Sequence, residues 1–434
     1  MWATAVTGAN FSWACNPPVT ELEVLVLDWL ARALGLPACF ESTGAERGGG
    51  VIVSTASEAI VSVMAAARDA FVAGKTAHLL GEDKEREEWR LRSRLVALGS
   101  SGTHSSTAKA ARILGLRYHA IPVGPDSGFA LTAPAVAAAL ADLAARGLEP
   151  FYLTLTMGTT DVCAVDAFAP IAALLAPRPN LWVHVDAAYA GSALLLDAVK
   201  PLAASFAAFH SVTVNPHKWL LVNNDCSALW LRDRRPLVST MSVSAPYLLS
   251  SASPDHDLVP DFRDWHIPLG RRFRALKLWF VLRSYGTAGL ASHVQAGIDR
   301  ARLLESKLRL RPDLFALVTP AAFGLLTFAL VVVRPPSSSS SSCQDDDAAN
   351  NDAANNDAAD NDAATNDAAN RLTRRLYDAI NATRAWFLTS TLLNGRFVIR
   401  VQTATAAVRQ EHIDALYNDF VDAAVKLLPS AAPN

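Results

Sequence analysis

The sequence contains 434 residues, of which 51% are apolar and 18% charged, a composition typical of a globular protein with room for two domains. The formal net charge of -2 argues against a nucleic-acid partner or a polybasic membrane anchor. Five scattered cysteines without CxxC spacing indicate a reducing compartment and no structural metal site, and with no signal-peptide pattern or membrane-length apolar run we expect a cytoplasmic protein.

The first predicted helix follows Pro17-Pro18. Thr20-Glu21-Leu22-Glu23 has the pattern of a capping box, and apolar residues continue at helical spacing as far as Gly35. A short strand, Val51-Ile52-Val53, follows three glycines and leads into an alanine-rich helix that opens at 54–58. Residues 1–20 hold aromatic side chains but no start signal, and we expect them to be the remnant of an N-terminal segment.

Short β-prone segments alternate with helical patterns, such as 133–146, through the larger part of the chain. The further strands are expected at 95–98, 118–123, 151–156, 181–186 and 211–214. This alternation predicts a large α/β domain over 21–290, built on a mostly parallel sheet with helices on both faces.

From residue 291 to residue 434 the pattern predicts a smaller α+β domain. Helices are predicted at 292–310, 371–383 and 410–427, and strands at 315–318, 324–333 and 396–402. Within this domain, residues 335–370 form an insertion of two prolines, six serines and an Asp-Ala-Ala unit that recurs every five residues. Because this period fits neither helix nor strand and no large apolar residue is present, we predict a disordered loop without a chemical role, with a solenoid repeat as the alternative.

Two motifs that follow predicted strands carry the strongest chemical signal. Asp186 ends an apolar strand, at the edge where open α/β sheets bind ligands, although an aspartate there can also cap the next helix. Lys218, in Asn215-Pro216-His217-Lys218-Trp219, comes shortly after the strand at 211–214. We expect its amine to be partly desolvated by these neighbours, which favours the neutral form that Schiff-base chemistry needs.

These motifs resemble those of the group II decarboxylases that use pyridoxal 5'-phosphate (PLP), and most closely the aromatic-L-amino-acid branch, which acts on dopa, tyrosine and tryptophan. The similarity covers 11–14, 48–58, 184–191, 215–227, 264–274 and 396–400. The resemblance implies the PLP-dependent transferase fold type I, an α/β fold with a mainly parallel, seven-stranded sheet in the large domain. It also implies a homodimer with active sites at the interface, where Phe11 contacts the substrate of the neighbouring subunit.

The resemblance further implies which residues bind PLP. Lys218 carries the cofactor as a Schiff base, and Asp186 pairs with the pyridine nitrogen and keeps it protonated. His104 stacks on one face of the ring, and Ala188 packs on the other. The remaining contacts, near the ring or the phosphate, are expected at Thr160, Ala56, Ser57 and Asn215, of which Ala56 and Ser57 open a helix.

Tyr247 is the residue that, by this resemblance, decides the reaction. The family carries a tyrosine here, on a mobile loop, that protonates the carbanion left after loss of CO2 and so yields an amine. Relatives with phenylalanine tend to form an aldehyde with oxygen instead, because a phenyl ring has no proton to donate. His217 is expected to support the protonation from the cofactor side. Gly270 leaves room for a bicyclic ring, so we expect tryptophan or dopa ahead of tyrosine as substrate.

By the same resemblance, family members begin with a helical arm that we expect to be missing here, and a fragment or a truncated gene model is the expected explanation. A genuinely short protein would dimerise poorly, which leaves a catalytically silent, PLP-binding paralogue as one alternative. An aldehyde synthase on the same fold is another, disfavoured by Tyr247, and an aminotransferase is a weaker third.

Overall fold

The structure, a computed structural model, describes residues 8, 10–44, 46–243, 259–331 and 351–428, with the backbone alone at 351–365. The chain divides into two compact units, Met1–Gln295 and Ala296–Asn434, where the sequence predicts a boundary between 290 and 291. Within the described ranges, no helix is both long enough and apolar enough to cross a bilayer.

The first unit contains a seven-stranded sheet. Its strands are β1 (Gly49–Val53), β2 (Leu95–Ser100), β3 (Arg117–Ile121), β4 (Glu149–Thr156), β5 (Trp182–Asp186), β6 (Ser211–Val214) and β7 (Ser227–Leu231). They lie in the order β1-β7-β6-β5-β4-β2-β3. Neighbouring strands from β6 to β3 are parallel, whereas β7 is antiparallel to both β6 and β1. The mainly parallel, seven-stranded sheet is therefore confirmed.

Helices surround this sheet in the first unit. They are α1 (Pro17–Leu34), α2 (Ala56–Thr76), α3 (Gly81–Arg92), α4 (Ser106–Ile113), α5 (Ala133–Ala145), α6 (Phe168–Leu175), α7 (Pro216–Trp219) and α8 (Arg235–Met241). The next helix, α9 (Arg274–Arg309), spans the unit boundary in sequence and is interrupted at Gly286, whose φ of 61° lies in the left-handed region. Apolar residues of α2 pack with Val51, Ala97 and Phe151 of the strands in one buried cluster.

The start of α1 differs from the prediction. The helix begins at Pro17, with Asn16 in the N-cap position, so the capping box predicted at Thr20–Glu23 is wrong. Prolines in the first helical turn cost no hydrogen bond, because the N–H groups there have no partner within the helix. Thr20 and Glu23 instead lie buried on the inner face of α1.

The second unit is a small α+β structure, as predicted. Its strands are β8 (Phe315–Ala322), β9 (Leu325–Leu330), β10 (Thr389–Leu393) and β11 (Arg396–Gln402), which form an antiparallel sheet in the order β10-β11-β9-β8. Its helices are α10 (Asn351–Ala382) and α11 (Gln410–Leu427). Phe328, Leu376 and Phe420 meet in its buried core.

The prediction of a disordered loop over 335–370 is wrong for residues 351–370, which form the first part of α10. Residues 332–350 lie outside the described residues. The five-residue repeat supplies a pair of alanines in every unit, and alanine has the highest intrinsic helix propensity. Near the end of the repeat, Asp367 and Arg371 form an ion pair of 2.6 Å one turn apart. A polar repeat can therefore be helical without an apolar stripe, and the absence of large apolar residues did not predict disorder here.

Candidate active site

The carboxyl ends of five parallel strands, β2 to β6, meet at one edge of the large sheet. β5 ends at Asp186, which is in register with Thr156 on β4 and Thr213 on β6. β2 ends at the same edge, and β1 runs in the same direction as β6 because β7 is antiparallel to both. This edge therefore collects the predicted residues that follow β1, β2, β4, β5 and β6, namely Ala56, Ser57, His104, Thr160, Asp186, Ala188, Asn215, His217 and Lys218.

Asp186 is a buried carboxylate with no ion-pair partner among the described residues. Its residue is 5% exposed, and its Oδ1 accepts the N–H of Ala188 at 3.1 Å. The carbonyl of Ala188 in turn accepts the N–H of Asn215 at 3.0 Å, which joins the ends of β5 and β6. A buried carboxylate is costly unless a positive group pairs with it. The protonated pyridine nitrogen of PLP is such a group, so this part of the site fits the cofactor.

Lys218 lies on α7, which is a single helical turn. Pro216 and Trp219 are buried, whereas Lys218 is exposed, so the prediction of a desolvated amine is wrong. In so short a turn only the first and last residues reach the core, and Lys218 lies on the open side between them. The N–H of Lys218 donates to the carbonyl of Asn215 at 2.9 Å and closes the turn. An exposed amine is accessible to an aldehyde such as that of PLP.

His217 is a neutral ring with a defined tautomer. Its Nδ1 accepts the N–H of Cys226 at 2.9 Å, so the ring proton lies on Nε2. Burial lowers the pKa of His217, and the positive charges of Lys218 and Lys277 act in the same direction. The ring therefore offers an N–H donor beside the lysine at neutral pH.

Two groups of donors on this edge suit a phosphate. Asn215 is 2% exposed, and its Oδ1 accepts the hydroxyl of Ser227 at 2.6 Å, which leaves the amide nitrogen as a donor. The first turn of α2, with Ala56 and Ser57, presents backbone N–H groups that have no partner within the helix. Ser227 is not among the predicted site residues; its only sequence signal is its place at the end of the matched segment 215–227.

The His104 ring is oriented by its own loop. Its Nδ1 accepts the backbone N–H of Ser106 at 3.2 Å and lies 2.8 Å from the Ser106 hydroxyl. The loop packs against the loop after β4, because a Cβ built on Gly102 would lie 3.6 Å from Cγ2 of Thr159. His104 and Thr160 are exposed, whereas Ala188 is buried. Both loops thus border the same open edge of the sheet.

The predicted substrate residues lie on other segments. Gly270 is exposed, and a Cβ there would meet no atom within 4 Å. The next residue, Arg271, donates to the carbonyl of Ile52 on β1 at 3.1 Å, which ties this segment to the strand that precedes α2. Phe11 is partly buried, and its carbonyl accepts the N–H of Arg263 at 2.9 Å. Tyr247 lies outside the described residues.

The chain is similar to known proteins over almost its whole length. Residues 1–331 match the model of the pyridoxal-dependent decarboxylase conserved domain. Tyrosine decarboxylase 2 of Narcissus pseudonarcissus is 36% identical, over 96% of this chain and 75% of that protein. A phenylacetaldehyde synthase of Arabidopsis thaliana is 35% identical, over 96% of this chain and 77% of that protein. The crystal structure of Oryza sativa TDC with PLP and tryptamine superposes with a TM-score of 0.85 at 31% identity, covering 99% of this chain and 80% of that one.

Proposed function

The chain belongs to the pyridoxal-dependent decarboxylase family, and from that premise we propose that it converts an aromatic L-amino acid into the corresponding arylalkylamine and CO2. The observation that carries this function is the edge of the large sheet, where buried Asp186 ends β5 and exposed Lys218 follows the adjacent strand β6. When bound there, PLP supplies an electron-withdrawing ring that stabilises negative charge on the substrate as CO2 departs.

The proposed cofactor contacts follow from the donors on this edge. Lys218 would bind PLP at its aldehyde carbon through Nζ, with release of water, and the Asp186 carboxylate would pair with the pyridine nitrogen. Asn215, with the first turn of α2 at Ala56 and Ser57, holds the phosphate. The other predicted contacts are His104 and Ala188 on the two faces of the ring and Thr160 beside it.

The proposed proton donor is the hydroxyl of Tyr247. After CO2 leaves, the phenol gives its proton to the α-carbon of the substrate, and the amine is the product. His217 assists from the cofactor side, since its neutral ring carries a proton on Nε2. The role of Tyr247 is supported by its position in the sequence, twenty-nine residues after Lys218.

Tryptophan and dopa are the proposed substrates ahead of tyrosine, supported by the open space around Gly270. We further propose that the protein acts as a cytoplasmic homodimer, in which Phe11 contacts substrate bound to the neighbouring subunit. The anchoring of the Phe11 backbone by Arg263 supports a defined position for this residue.

Turnover of a substrate panel tests the proposed function. The purified chain, supplied with PLP, is incubated with tryptophan, dopa, tyrosine, phenylalanine and histidine, and CO2 and organic products are measured. We expect CO2 and the amine from at least tryptophan or dopa. Lys218→Ala should lose both CO2 release and the visible absorption band of lysine-bound PLP. A wild-type chain that shows the band but releases no CO2 from any of these amino acids is a silent paralogue and refutes the proposal.

An aldehyde synthase is the second candidate, because a phenylacetaldehyde synthase is similar to this chain to almost the same degree as the decarboxylase. That reaction consumes O2 and water and releases the aldehyde, CO2, ammonia and H2O2. With Tyr247 as proton donor, we expect the wild type to form amine without peroxide, and Tyr247→Phe to form aldehyde and peroxide. Aldehyde and peroxide from the wild type would instead identify a synthase.

A further inference from the structure

A buried row of polar side chains lies next to Asp186 on the inner side of the site. Alternate residues of a strand share one face, so His184 lies on the same face as Asp186, two residues farther from the open edge. Strand register places Ser211 of β6 beside His184. His184 and Ser211 are both completely buried.

His184 ends a hydrogen-bonded chain that begins at Trp182. The indole Nε1–H of Trp182 donates to Oγ of Ser211 at 2.9 Å, and the same Oγ lies 2.8 Å from Nδ1 of His184. Since Trp182 can only donate, Ser211 accepts from it, and the same hydroxyl forms a second hydrogen bond with Nδ1 of His184. The other ring nitrogen of His184, Nε2, is a buried atom without a hydrogen-bond partner in the described part of the chain.

The surroundings of His184 keep its ring neutral. Burial lowers the pKa of His184 to about 4, although the negative charge of Asp186 acts in the opposite direction. Tyr152 stacks on the ring with centroids 6.4 Å apart, and burial raises the pKa of this phenol, so it also stays uncharged. The hydroxyls of Thr156 and Thr213, in register with Asp186 on either side, are buried and have no partner among the described residues. Asp186 thus lies among groups that are polar and neutral.

We propose that His184 is a positioning residue for Asp186, and this inference rests on the proposed PLP site. Held by Ser211 and Trp182, the neutral ring of His184 provides a polar neighbour on the same strand face, two residues from Asp186, and so helps to position the carboxylate for the pyridine nitrogen. An apolar side chain would leave the carboxylate with fewer polar neighbours, and a cationic one would pair with it in place of the cofactor.

Two measurements on the holoenzyme test this role without recourse to turnover. The first is the dissociation constant of PLP from an equilibrium titration, and the second is the induced circular dichroism of bound PLP, which reports the orientation of its ring. His184→Phe keeps an aromatic ring but loses both nitrogens. We expect about tenfold weaker PLP binding, the effect of losing one polar interaction with a charged group, and an altered dichroism.

Conservative variants separate the two nitrogens of the ring. Glutamine places its amide nitrogen where Nε2 lies, and asparagine can replace only Nδ1. We expect His184→Gln to keep the PLP dissociation constant and the induced dichroism to within about threefold of the wild-type values. His184→Asn should keep less of both, because the proposed interaction is made through Nε2.

Thr154→Val is the matched control. Thr154 is in register with His184 on β4 and completely buried, but its hydroxyl pairs with Thr107 at 3.2 Å rather than with the chain that starts at Trp182. The Thr154→Val variant should bind PLP with wild-type affinity and dichroism. If His184→Phe does not fold, Ser211→Ala takes its place, with a smaller loss in the same direction expected.

The inference is overturned if His184→Phe binds PLP with wild-type affinity and dichroism, or if Thr154→Val loses as much. If Ser211→Ala is used instead, wild-type affinity and dichroism in that variant would also overturn the inference. A wild-type chain that takes up no PLP refutes the proposed function together with this inference, whereas normal uptake by the wild type and by the His184 variants refutes the inference alone.

Discussion

The rings of Tyr189 and Trp219 stack face to face, with centroids 5.0 Å apart and an angle of 6° between their planes. Tyr189 follows Asp186 in the loop after β5, and Trp219 directly follows Lys218 in the turn after β6. The stack therefore joins the two segments whose carboxylate and amine are proposed to hold opposite sides of the PLP ring. It limits how far Lys218 can move relative to Asp186.

Loss of this stack should weaken cofactor binding. We expect Tyr189→Leu to raise the dissociation constant of PLP about threefold to tenfold, since an aromatic pair contributes about 0.5–1.5 kcal/mol beyond its buried area. Tyr189→Phe keeps the stacked ring and should stay within about twofold of the wild type. Equilibrium titration with PLP measures both, and equal affinities for the leucine and phenylalanine variants would contradict the positioning role.

Substitution of Gly270 should change substrate preference without changing stability. No atom lies within 4 Å of a Cβ at this position and its φ is not in the left-handed region, so serine fits without strain. Under the proposed function, we expect Gly270→Ser to lower kcat/KM for tryptophan relative to tyrosine by about tenfold, the usual effect of one additional group in a pocket. An unchanged ratio in competition assays would place the bicyclic ring elsewhere, and the thermal unfolding midpoint serves as the control.

The buried ion pair between Glu23 and Arg271 should be important for stability. Both side chains are 1% exposed, their closest atoms lie 2.6 Å apart, and Glu23 also accepts the N–H of Ile52 at 2.8 Å. Arg271→Met leaves the Glu23 carboxylate buried without its partner, and we expect a loss of about 3–5 kcal/mol in the free energy of unfolding.

Urea denaturation measures this loss, and two variants serve as controls. Arg90→Ala removes the exposed pair with Glu87 and should leave the urea midpoint unchanged, because exposed ion pairs contribute little. The double variant Glu23→Leu/Arg271→Met should recover most of the stability, since no charge remains buried. If Arg271→Met is as stable as Arg90→Ala, the buried pair does not have this role.

His184 should make the fold sensitive to acid. Its pKa is about 4 in the folded chain, against an ordinary value of 6.5, so below pH 6.5 the unfolded chain binds a proton that the folded chain does not. Its contribution to stability is therefore complete above pH 6.5 and decreases as the pH falls towards 4, with about 2 kcal/mol lost at pH 5.

Comparison with His184→Gln isolates this contribution, because other titrating groups are common to both chains. Measured relative to the glutamine variant, the free energy of unfolding of the wild type should be about 2 kcal/mol lower at pH 5 than at pH 7.5. Urea titrations at the two pH values give this difference. A difference that does not vary with pH would mean that the imidazole titrates normally.

Elements with a clear local pattern were predictable from the sequence. The run Trp182–Asp186 is a buried strand, α5 and α11 follow their helical patterns closely, and Thr55 caps α2 by accepting the N–H of Glu58. Two short strands, β7 and β10, have five residues each and no distinct alternation of polar and apolar residues. They are strands because they pair with β6 and β11, respectively. Thr20–Glu23 resembles a helix start locally, but the prolines before it extend the helix backwards.

The sequence by itself determined which chemical groups this protein has and in which motifs they stand: a lysine after one strand, an aspartate at the end of another, and a resemblance that assigns them to PLP. Only the tertiary structure decided the surroundings of those groups. Asp186 is buried without an ion-pair partner among the described residues, Lys218 is exposed, and Glu23 pairs with Arg271, 248 positions away. These properties depend on strand register and on contacts between distant segments, and local sequence patterns do not encode them, because burial and charge pairing are set by neighbours in space.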